Sequence, residues 1–566
     1  MQETTGAYVV RRTDEIKKNK MPWLEYFQIL GEYVSQQKLG FTAKQSEGSM
    51  LNENLFDSTG VDACTKSSAA LIGMLWRSGS KSFQAQPPRK LKASNDVKKY
   101  FEFFNETMRA ALDDPKAGFA NAYSEYMADE LCFGTAGLGV WPGTESDLSF
   151  EAWGVDEMGI SHGRDGQLLE ISREYCWELR KIIDTYGLEN LSPNLQERAK
   201  NPHTLGEKFS IIHFIDRRRD LKAGNLSNLN MPIRSVHVER DTKHEILESG
   251  FPEMPVEVGF HKKLRGETYG RSPAMNALPD ILELNALRES RMYAIEMQLE
   301  PPTAMYSDSI LGNAKLDMSP RATNIFKASA KLKGGPPVFP LYDGGNIREA
   351  DKAIEEIKAN INSAFMLDRL IDFNNQTEMT LGEVQFRAQL RGESLGEVFS
   401  RQNLVLQNIT ERATSIMYRA GKLGLIEGSI EHRIAMSKGE EPVIIPDEIA
   451  KLILGGKEFY EIKFLSPAAR MMEAEEANGI RRTYQDALMI AQAEGNVDVL
   501  DGLEGDKAIE ILSRNNGAPP EILAARDKIE AIRQQRAQIM EQQAQAQQAA
   551  QEVAIAAEAS NIKPAA

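Results

Sequence analysis

The pattern of apolar and polar positions is most regular between Pro279 and Gly421. Apolar residues recur there at helical spacing, and glycine, proline and polar residues separate the periodic stretches. This order predicts an elongated helical bundle with apolar stripes that pack against neighbouring copies. The predicted segments are a helix at 279–300, a Gly/Pro-rich excursion at 301–345, a helix at 346–371, a polar connection at 372–379, and a segment at 380–466 that begins with a long helix.

The first of these helices has one apolar side. Pro279 suits the first turn of a helix, and Pro301-Pro302 ends the periodic stretch. The apolar side chains between them fall in a single arc of a helical wheel, which predicts packing against another element. The members of the arc are Ile281, Leu284, Met292, Ile295 and Leu299.

Two arginines, Arg288 and Arg291, fall in the same arc. Either they lie at the edge of the core with their guanidinium groups in water, or they pair with carboxylates of an adjacent subunit and fix the register between helices. The candidate partners on the next helix are Asp368 and either Glu355 or Glu356.

The second helix has the clearest period in the chain. Its apolar residues follow a seven-residue repeat, and Asp368 occupies the next position of the first series. This repeat predicts close packing against another helix, either in the same chain or in a neighbouring subunit. The two series are Ile347, Ile354 and Ile361, and, three residues after each, Ala350, Ile357 and Ala364.

The long helix has its own start signal. Thr380 and Glu383 have the spacing of a capping box, in which each side chain accepts a hydrogen bond from the other residue's backbone amide. Helical signals continue to about Gly421, which corresponds to a length of roughly 60 Å. Gly392 and Gly396 weaken the middle of the helix and predict a kink there.

The polar connection at 372–379 is either an ordinary link between helices or a functional tip. Phe373 stands among Asp, Asn, Gln and Thr residues, and an exposed aromatic ring in that setting argues for a functional tip.

The rest of the chain predicts a mainly α fold with one α+β region. Residues 1–278 combine helices with antiparallel strands, which include a buried strand at 209–215 and a half-exposed strand at 235–239. Mixed structure follows the long helix, and residues 467–566 are helical with a Gln/Ala-rich tail. Further predicted helices lie at 11–38, 60–79, 95–132, 468–494 and 519–558.

Composition limits the kinds of partner. Among 566 residues, 67 are Lys or Arg and 82 are Asp or Glu, so the net charge is −15. A protein that grips nucleic acid through its phosphates normally has a basic excess. This chain has only short basic clusters, at Arg217–Arg219 and at Lys327, Lys331 and Lys333, so we expect any contact with DNA to be loose.

The cysteines indicate that the protein occurs in a reducing compartment, and the apolar runs are too short to predict a membrane-spanning helix. Cys64, Cys132 and Cys176 form no CxxC pair, and their odd number argues against a disulfide framework. The first residues lack the apolar core of a signal peptide, and no stretch approaches about 18 uninterrupted apolar residues. We therefore expect neither secretion nor a membrane span.

No motif predicts catalysis, a metal or a cofactor. Gly73 and Gly79–Ser82 lack the spacing of a phosphate-binding loop. Gly137–Pro142 lacks the third glycine of a dinucleotide fingerprint and is predicted to be a closely packed strand. The seven histidines have no metal-binding spacing, and His213 is predicted to lie at the edge of the core. There is no G-x-S-x-G elbow, so we expect a protein that is not an enzyme.

Several short motifs, taken in order, resemble the portal, or head-to-tail connector, proteins of short-tailed, podovirus-type phages. Similar portals tend to have Gly in place of Ser272 and Ala in place of Leu381 or Gly382. The resemblance covers about residues 10–500 and rests mainly on the order and spacing of the elements. The motifs are Glu267–Ala274 leading into Leu278–Ile281, Glu300–Pro302 at the end of the first helix, and Met379–Val384 at the start of the long one.

The resemblance implies a ring of twelve subunits at one capsid vertex. The ring would form a channel for packaging, retention and ejection of double-stranded DNA. The chain would comprise a wing (1–278 and 380–466), a stem of two helices (279–300 and 346–371), a clip that receives tail proteins (301–345), a tunnel loop (372–379) and a C-terminal crown or barrel (467–566).

The resemblance also implies partners and site residues. The partners would be other copies of the chain, terminase, scaffolding protein, the major capsid protein, a tail adaptor and internal core or ejection proteins. The protein would be found in the virion and, during assembly, in the host cytoplasm. The implied sites are a DNA-facing tunnel loop (Asp372, Phe373, Asn374, Asn375, Gln376, Thr377), basic residues of the clip channel (Lys327, Lys331, Lys333) and inter-subunit stem residues (Arg288, Arg291, Ile347, Ile354, Ile361, Asp368).

The acidic total agrees with a conduit, since twelve copies would carry about 12 × −15 = −180 charges and DNA would slide along a repulsive or neutral wall. Two alternatives stay open. One is a helical scaffold or internal virion protein without a channel, which the Gln/Ala-rich tail favours. The other is a DNA-processing enzyme, which no nucleotide or metal motif supports.

Overall fold

The chain folds as two compact units, Met1–Ala469 and Arg470–Ala566. In the part that the structure describes, no helix is long and apolar enough to cross a membrane. The computed structural model describes residues 3–35, 40–42, 54–76, 82–88, 91, 94–164, 166–221, 227–307, 317–327, 338–341, 347–370, 381–439, 441–465, 467–495 and 502–515, and isolated positions between 529 and 542.

Helices dominate the N-terminal part of the first unit. Ser94 accepts a hydrogen bond from the amide of Val97 and caps α3, whose apolar residues lie on one buried side. Gly134 ends α4 with a φ of 79°, a left-handed conformation that glycine adopts without strain. The helix predicted at 60–79 is present but ends at Leu75, and the region predicted to be helical at 95–132 contains two helices. The elements are α1 (Thr5–Leu30), α2 (Thr59–Leu75), β1 (Phe83–Gln86), α3 (Asn95–Asp113) and α4 (Phe119–Phe133).

Antiparallel strands follow, as the sequence predicts. In the described part of this region, one sheet has the order β3-β2-β9 and a second has the order β4-β5-β6-β7-β8. The strands predicted at 209–215 and 235–239 are β6 and β7, and β7 is more buried than expected. The elements are β2 (Thr135–Pro142), β3 (Leu148–Trp153), β4 (Met158–His162), β5 (Leu168–Glu178), α5 (Leu179–Tyr186), α6 (Pro193–Ala199), β6 (Lys208–Arg217), β7 (Ile233–Glu239), β8 (Glu245–Phe251) and β9 (Val256–Phe260).

The helix α1 fastens the N-terminus to the second sheet. Val9, Val10 and Ile16 pack on apolar residues of β6 and β7. A Cβ atom on Gly6 would lie 2.0 Å from the carbonyl oxygen of Lys243, so only glycine permits this close approach.

The central region contains long helices joined by a small sheet. Because of its Gly and Pro turn markers, the sequence predicts irregular structure at 303–345, but β10 pairs in parallel with β11 and antiparallel with β12. The prediction was wrong because the paired segments are far apart in sequence. The elements are α7 (Pro273–Leu299), β10 (Thr303–Ser307), β11 (Thr323–Lys327), β12 (Val338–Pro340), α8 (Ile347–Ala364), α9 (Leu367–Leu370) and α10 (Leu381–Arg419).

After α10 the chain returns to the N-terminal helices. The strand β13 pairs antiparallel with β1, with Phe464 opposite Phe83. The long helix and the helix predicted at 468–494 are both confirmed, but α14 was not predicted, and most of the helix predicted at 519–558 lies outside the described residues. The elements are α11 (Ile430–Ser437), α12 (Asp447–Leu454), β13 (Glu461–Phe464), α13 (Pro467–Glu494) and α14 (Gly505–Asn515).

Candidate functional site: the α7–α8 helix pair

The start of α7 is fixed by Ser272. Its hydroxyl oxygen accepts a hydrogen bond from the amide of Met275 at 3.0 Å and donates one to the carbonyl of Cys132 at 2.8 Å. Pro273 occupies the first helical position, where the missing N–H costs nothing. The helix therefore begins six residues before Pro279, and the predicted start was wrong because Pro279 lies inside the helix.

The apolar arc of α7 divides into a buried and an exposed part. Ile281 and Leu284 lie in the core, with 3% and 1% of their surface exposed. Met292 and Leu299 are 50% and 77% exposed. The arc predicted to pack along its whole length is thus buried at Ile281 and Leu284, partly buried at Ile295, and exposed at Met292 and Leu299. Gly60 of α2 contributes to the burial, since a Cβ atom there would lie 3.0 Å from Cδ1 of Ile281.

A strap at residues 54–57 lies across the first half of α7. The side-chain carbonyl of Asn285 accepts hydrogen bonds from the amides of Phe56 and Asp57 at 2.7 and 3.3 Å. Its side-chain amide donates to the carbonyl of Asn54 at 3.0 Å. Asn285 was not predicted, although a lone Asn within an apolar arc signals a buried hydrogen-bonding role.

Arg288 completes the attachment of the strap. Its Nε lies 2.8 Å from Oδ2 of Asp57. Burial opposes ionisation of Asp57, but hydrogen bonds from Thr59 and the ion pair with Arg288 outweigh it and lower the pKa of the carboxyl. Arg288 therefore has a carboxylate partner in its own chain, which sequence analysis did not identify.

Arg291 joins the two helices of the pair. Its Nε lies 2.6 Å from Oδ1 of Asp351 on α8. The candidate partners Asp368, Glu355 and Glu356 are exposed, and Glu355 faces Lys358 of its own helix at 3.5 Å. Within one chain Arg288 and Arg291 pair with Asp57 and Asp351. Their pairing with Asp368 and Glu355 or Glu356 of an adjacent subunit stays a prediction.

The seven-residue repeat of α8 packs inside the chain. Ile354 and Ile361 are 2% and 0% exposed, and both belong to the main core together with Leu284. Ile347 is the first residue of α8. The contact of Ile347, Ile354 and Ile361 with a neighbouring subunit stays a prediction.

The helix α8 ends earlier than the repeat predicts. Met366 has a φ of 61°, which breaks the helix after Ala364, and α9 is a separate short turn. Ser67 of α2 donates a hydrogen bond to the carbonyl of Phe365 at 2.7 Å and so fixes this break. Asp368 lies on α9, where it accepts a hydrogen bond from Ser363 at 3.4 Å. Its predicted inter-subunit role is not tested.

The small sheet stands at the far end of the pair, between α7 and α8. Arg321 forms an ion pair with Glu300, and the amide of Leu341 donates to the carbonyl of Pro302 at 2.8 Å. The buried Asn324 closes the turn before β11 through hydrogen bonds of 2.7 and 2.9 Å with the backbone of Asp317. Of the predicted basic residues, Lys327 ends β11, and Lys331 and Lys333 lie outside the described residues.

The predicted DNA-facing loop also lies outside the described part of the chain. This applies to Asp372, Phe373, Asn374, Asn375, Gln376 and Thr377, and to Thr380 of the predicted capping box. The structure places the end of α9 at Leu370 and the start of α10 at Leu381.

The helix α10 follows that segment and is held to the N-terminal region by polar side-chain contacts. The side-chain amide of Gln402 donates to the buried carboxyl of Glu130 at 2.7 Å, and that of Asn408 donates to Glu257 at 2.9 Å. Burial raises the pKa of both carboxyls, that of Glu257 to about 7. Arg419, near the end of the helix, lies 3.1 Å from Glu253. These contacts hold the long helix against β9 and α4.

The glycine-rich segment at 137–142 is a strand, as predicted. A Cβ atom on Gly137 would lie 2.9 Å from Sδ of Met158, so the backbone packs closely. The glycines at 73 and 79 do not form a described loop, since residues 77–81 lie outside the described part. Among the residues that the structure describes, no group of three His, Cys, Asp or Glu side chains is placed to hold a metal ion.

Comparison with known proteins agrees with this architecture. Residues 8–523 match the family described as bacteriophage head to tail connecting protein. The chain belongs to this family. It is 22% identical to the portal protein of Salmonella phage epsilon15 over 560 residues. The matched region covers 97% of this chain and 93% of that protein. It is also 22% identical to the probable portal protein of Bordetella phage BPP-1 over 556 residues, and this match covers 97% of this chain and 94% of that protein.

The resemblance to phage portal proteins is thereby confirmed over nearly the whole chain. As a head-to-tail connector, the protein is a structural component of the phage particle.

Proposed function

We propose that the protein assembles into a ring, of twelve subunits on the family resemblance, at one vertex of the capsid. The ring is a channel through which double-stranded DNA enters during packaging, is retained, and leaves during ejection. The role is structural, and a separate ATP-driven terminase supplies the work of packaging.

The observation that carries this proposal is the α7–α8 pair in a chain of the connector family. The two helices are antiparallel and joined by the Arg291–Asp351 ion pair. A small sheet caps one end, and the segment from 371 to 380 follows the other. Copies of such a rod set side by side around an axis enclose a channel.

The net charge of the two helices favours a channel for DNA rather than a protein that binds DNA tightly. The helix α7 contains four carboxylates and two arginines, and α8 contains four carboxylates and three basic residues, which gives −2 and −1. Because tight neutralisation of phosphates would hold the DNA, a weakly acidic stem favours passage. We assign residues 372–377, Phe373 among them, to the DNA contact, and Lys327, Lys331 and Lys333 to the mouth of the channel beside the small sheet.

The remaining parts are assigned to docking. The small sheet receives the tail adaptor and, during packaging, the terminase. The sheets and helices of the wing contact the major capsid protein and scaffolding protein, and the C-terminal helices face internal core or ejection proteins. Assembly takes place in the host cytoplasm before the protein becomes part of the virion.

A phage with early stop codons in this reading frame, propagated on a complementing host, tests the proposal. Without complementation, we expect capsids without packaged DNA and without tails, since the channel and the tail attachment are both lost. Full-length protein supplied in trans restores infectious particles. DNA-filled capsids from the uncomplemented host would contradict the channel. They would favour a scaffold or internal virion protein. ATPase or nuclease activity of the purified chain would favour an enzyme.

A further inference from the structure

The second half of α7, from Glu289 to Leu299, exposes apolar side chains that the rest of the chain does not cover. Met292 and Tyr293 are each 50% exposed and Leu299 is 77% exposed. Met305, at the adjoining strand β10, is 36% exposed. Neighbouring exposed apolar side chains on a helix are typical of a contact surface, whereas isolated ones need no explanation.

The first half of α7 is not available for the same purpose. The strap at 54–57 and the helix α2 cover it, and Arg288 is bound to Asp57. The seam of α8 is likewise filled from within the chain, with Ile361 fully buried. Among the described side chains of this pair, the exposed apolar ones are therefore concentrated between Glu289 and Leu299, with Leu282, at 37%, the exposed one in the first half of α7.

The second half of α7 and the first turns of α8 carry net charges of opposite sign. The Arg291–Asp351 ion pair sets the register, so Glu289 and Glu296 on α7 lie level with the first turns of α8. Leaving that ion pair aside, α7 from 289 to 299 has a charge of −2. The start of α8, from 347 to 352, has two basic residues and one acidic residue, which gives +1.

We propose that α7 from Glu289 to Leu299 binds a second copy of this chain, and that its counterpart is the start of the neighbouring copy's α8, with Arg348 and Lys352. The contact is head-to-tail, because each copy uses a different surface towards each neighbour, and repeated contacts of this kind close a ring. The inference rests on the proposed ring and names the surfaces that form its stem. It is separate from the predicted inter-subunit contact of Ile347, Ile354 and Ile361, which stays a prediction.

The apolar part is tested with the triple variant Met292→Ser, Tyr293→Ser and Leu299→Ser in the full-length chain. The fraction of subunits in rings is measured by mass photometry over a dilution series. We expect the concentration for half-assembly to rise at least about tenfold, since apolar area at the contact is lost. The matched control changes Ile430, Met436 and Leu454 to Ser. They are 71%, 55% and 76% exposed on α11 and α12. Its assembly should equal that of the wild type.

An unchanged thermal midpoint of the subunit shows that the triple variant folds. Assembly equal to that of the wild type would overturn the proposal, and so would an equal loss in the control.

The charged part is tested by mixing two variants. One has Glu289→Lys and Glu296→Lys, and the other has Arg348→Glu and Lys352→Glu. Each alone places like charges at every contact, so we expect each to assemble poorly. In a mixture, alternating subunits restore opposite charges at every contact, and rings should return to within threefold of the wild-type concentration. A mixture no better than its components would overturn the assignment of α8.

The proposed ring and the proposed contact surface are contradicted by different results. If the wild-type chain forms no ring at any concentration or in capsids, the proposed function fails. If the wild type forms rings and the variants assemble equally well, the proposed function stands and this surface assignment is wrong.

Discussion

The imidazole rings of His213 and His237 are stacked across two neighbouring strands, with their centroids 4.0 Å apart and their planes at 18°. Nε2 of His213 lies 2.9 Å from the hydroxyl of Ser235, and Nδ1 of His237 lies 2.9 Å from that of Tyr186. Burial lowers the pKa of His237 to about 4. Burial, the neighbouring ring and Arg173 lower the pKa of His213 well below its usual value.

Acid should therefore loosen the five-stranded sheet. In the unfolded chain a histidine titrates near pH 6.5, so between about 6.5 and 4 the unfolded state binds protons that the folded state does not. The free energy of unfolding falls as the pH is lowered through this window, by about 3 kcal/mol for His237 alone. Below about pH 4 His237 contributes no further loss.

Thermal unfolding of the wild type and of His237→Gln between pH 7 and 4 checks this. The variant, which cannot gain the proton, should lose less stability over the window. The control His203→Gln changes an exposed histidine and should behave as the wild type. Parallel loss of stability in the wild type and His237→Gln would contradict the assignment.

Replacement of Ser272 should weaken the attachment of α7. Ser272→Ala removes the helix cap and the hydrogen bond to Cys132, so we expect a loss of about 1–2 kcal/mol in the free energy of unfolding. Ser272→Gly should lose less, because glycine is better than alanine before the first turn. Urea unfolding measures the stability of the two variants, and hydrogen exchange of the amides in the first turn of α7 measures the local loss. Ser290→Ala, on the exposed side of the same helix, is the control. Equal stability of the Ala variant and the wild type would exclude the capping role.

The pair formed by Arg288 and Asp57 should couple more strongly than a surface ion pair. Its carboxylate is 8% exposed, whereas both partners of the pair between Arg198 and Glu207 are 44% exposed. A double-mutant cycle with Arg288→Met and Asp57→Asn should give a coupling of about 1–2 kcal/mol, against less than about 1 kcal/mol for the surface pair. Equal coupling in the two cycles would show that the strap is not held by this contact.

Deletion of residues 372–379 separates assembly from DNA handling. The stem pair and α10 do not depend on this loop for their described contacts, so rings should still form. We expect reduced packaging or early loss of the genome, measured as DNA per particle and infectious titre. Phe373→Ala should show part of the same defect, and Phe373→Leu, which keeps an apolar side chain, less of it. An unchanged titre of the deletion would remove the proposed DNA contact.

Sequence alone predicted the elements whose signals are local. The periodicity after Thr380 gave the long helix, and the alternation around Ser235 gave β7, because both patterns depend on neighbours within a few residues. The start of α7 was misplaced because Ser272-Pro273 and Pro279 are both acceptable start signals, and the hydroxyl contact with Cys132 decides between them. That contact joins residues 140 positions apart.

The stem contacts could not be predicted for the same reason. A seven-residue repeat in α8 predicts a packed seam but does not say which helix fills it. The partner of Arg288 is 231 positions away in a strap without periodicity, so no local signal indicated an intramolecular ion pair. The parallel pairing of β10 with β11 is non-local as well, and short strands between glycines and prolines have the sequence signals of an irregular segment.

The central claim is that copies of this chain close side by side around an open axis. End-on electron microscopy of the purified full-length assembly tests it most directly. The account predicts a closed rotationally symmetric ring with a central opening wide enough for a DNA duplex and stem helices around it. A compact monomer, or an assembly without an axial opening, would contradict it.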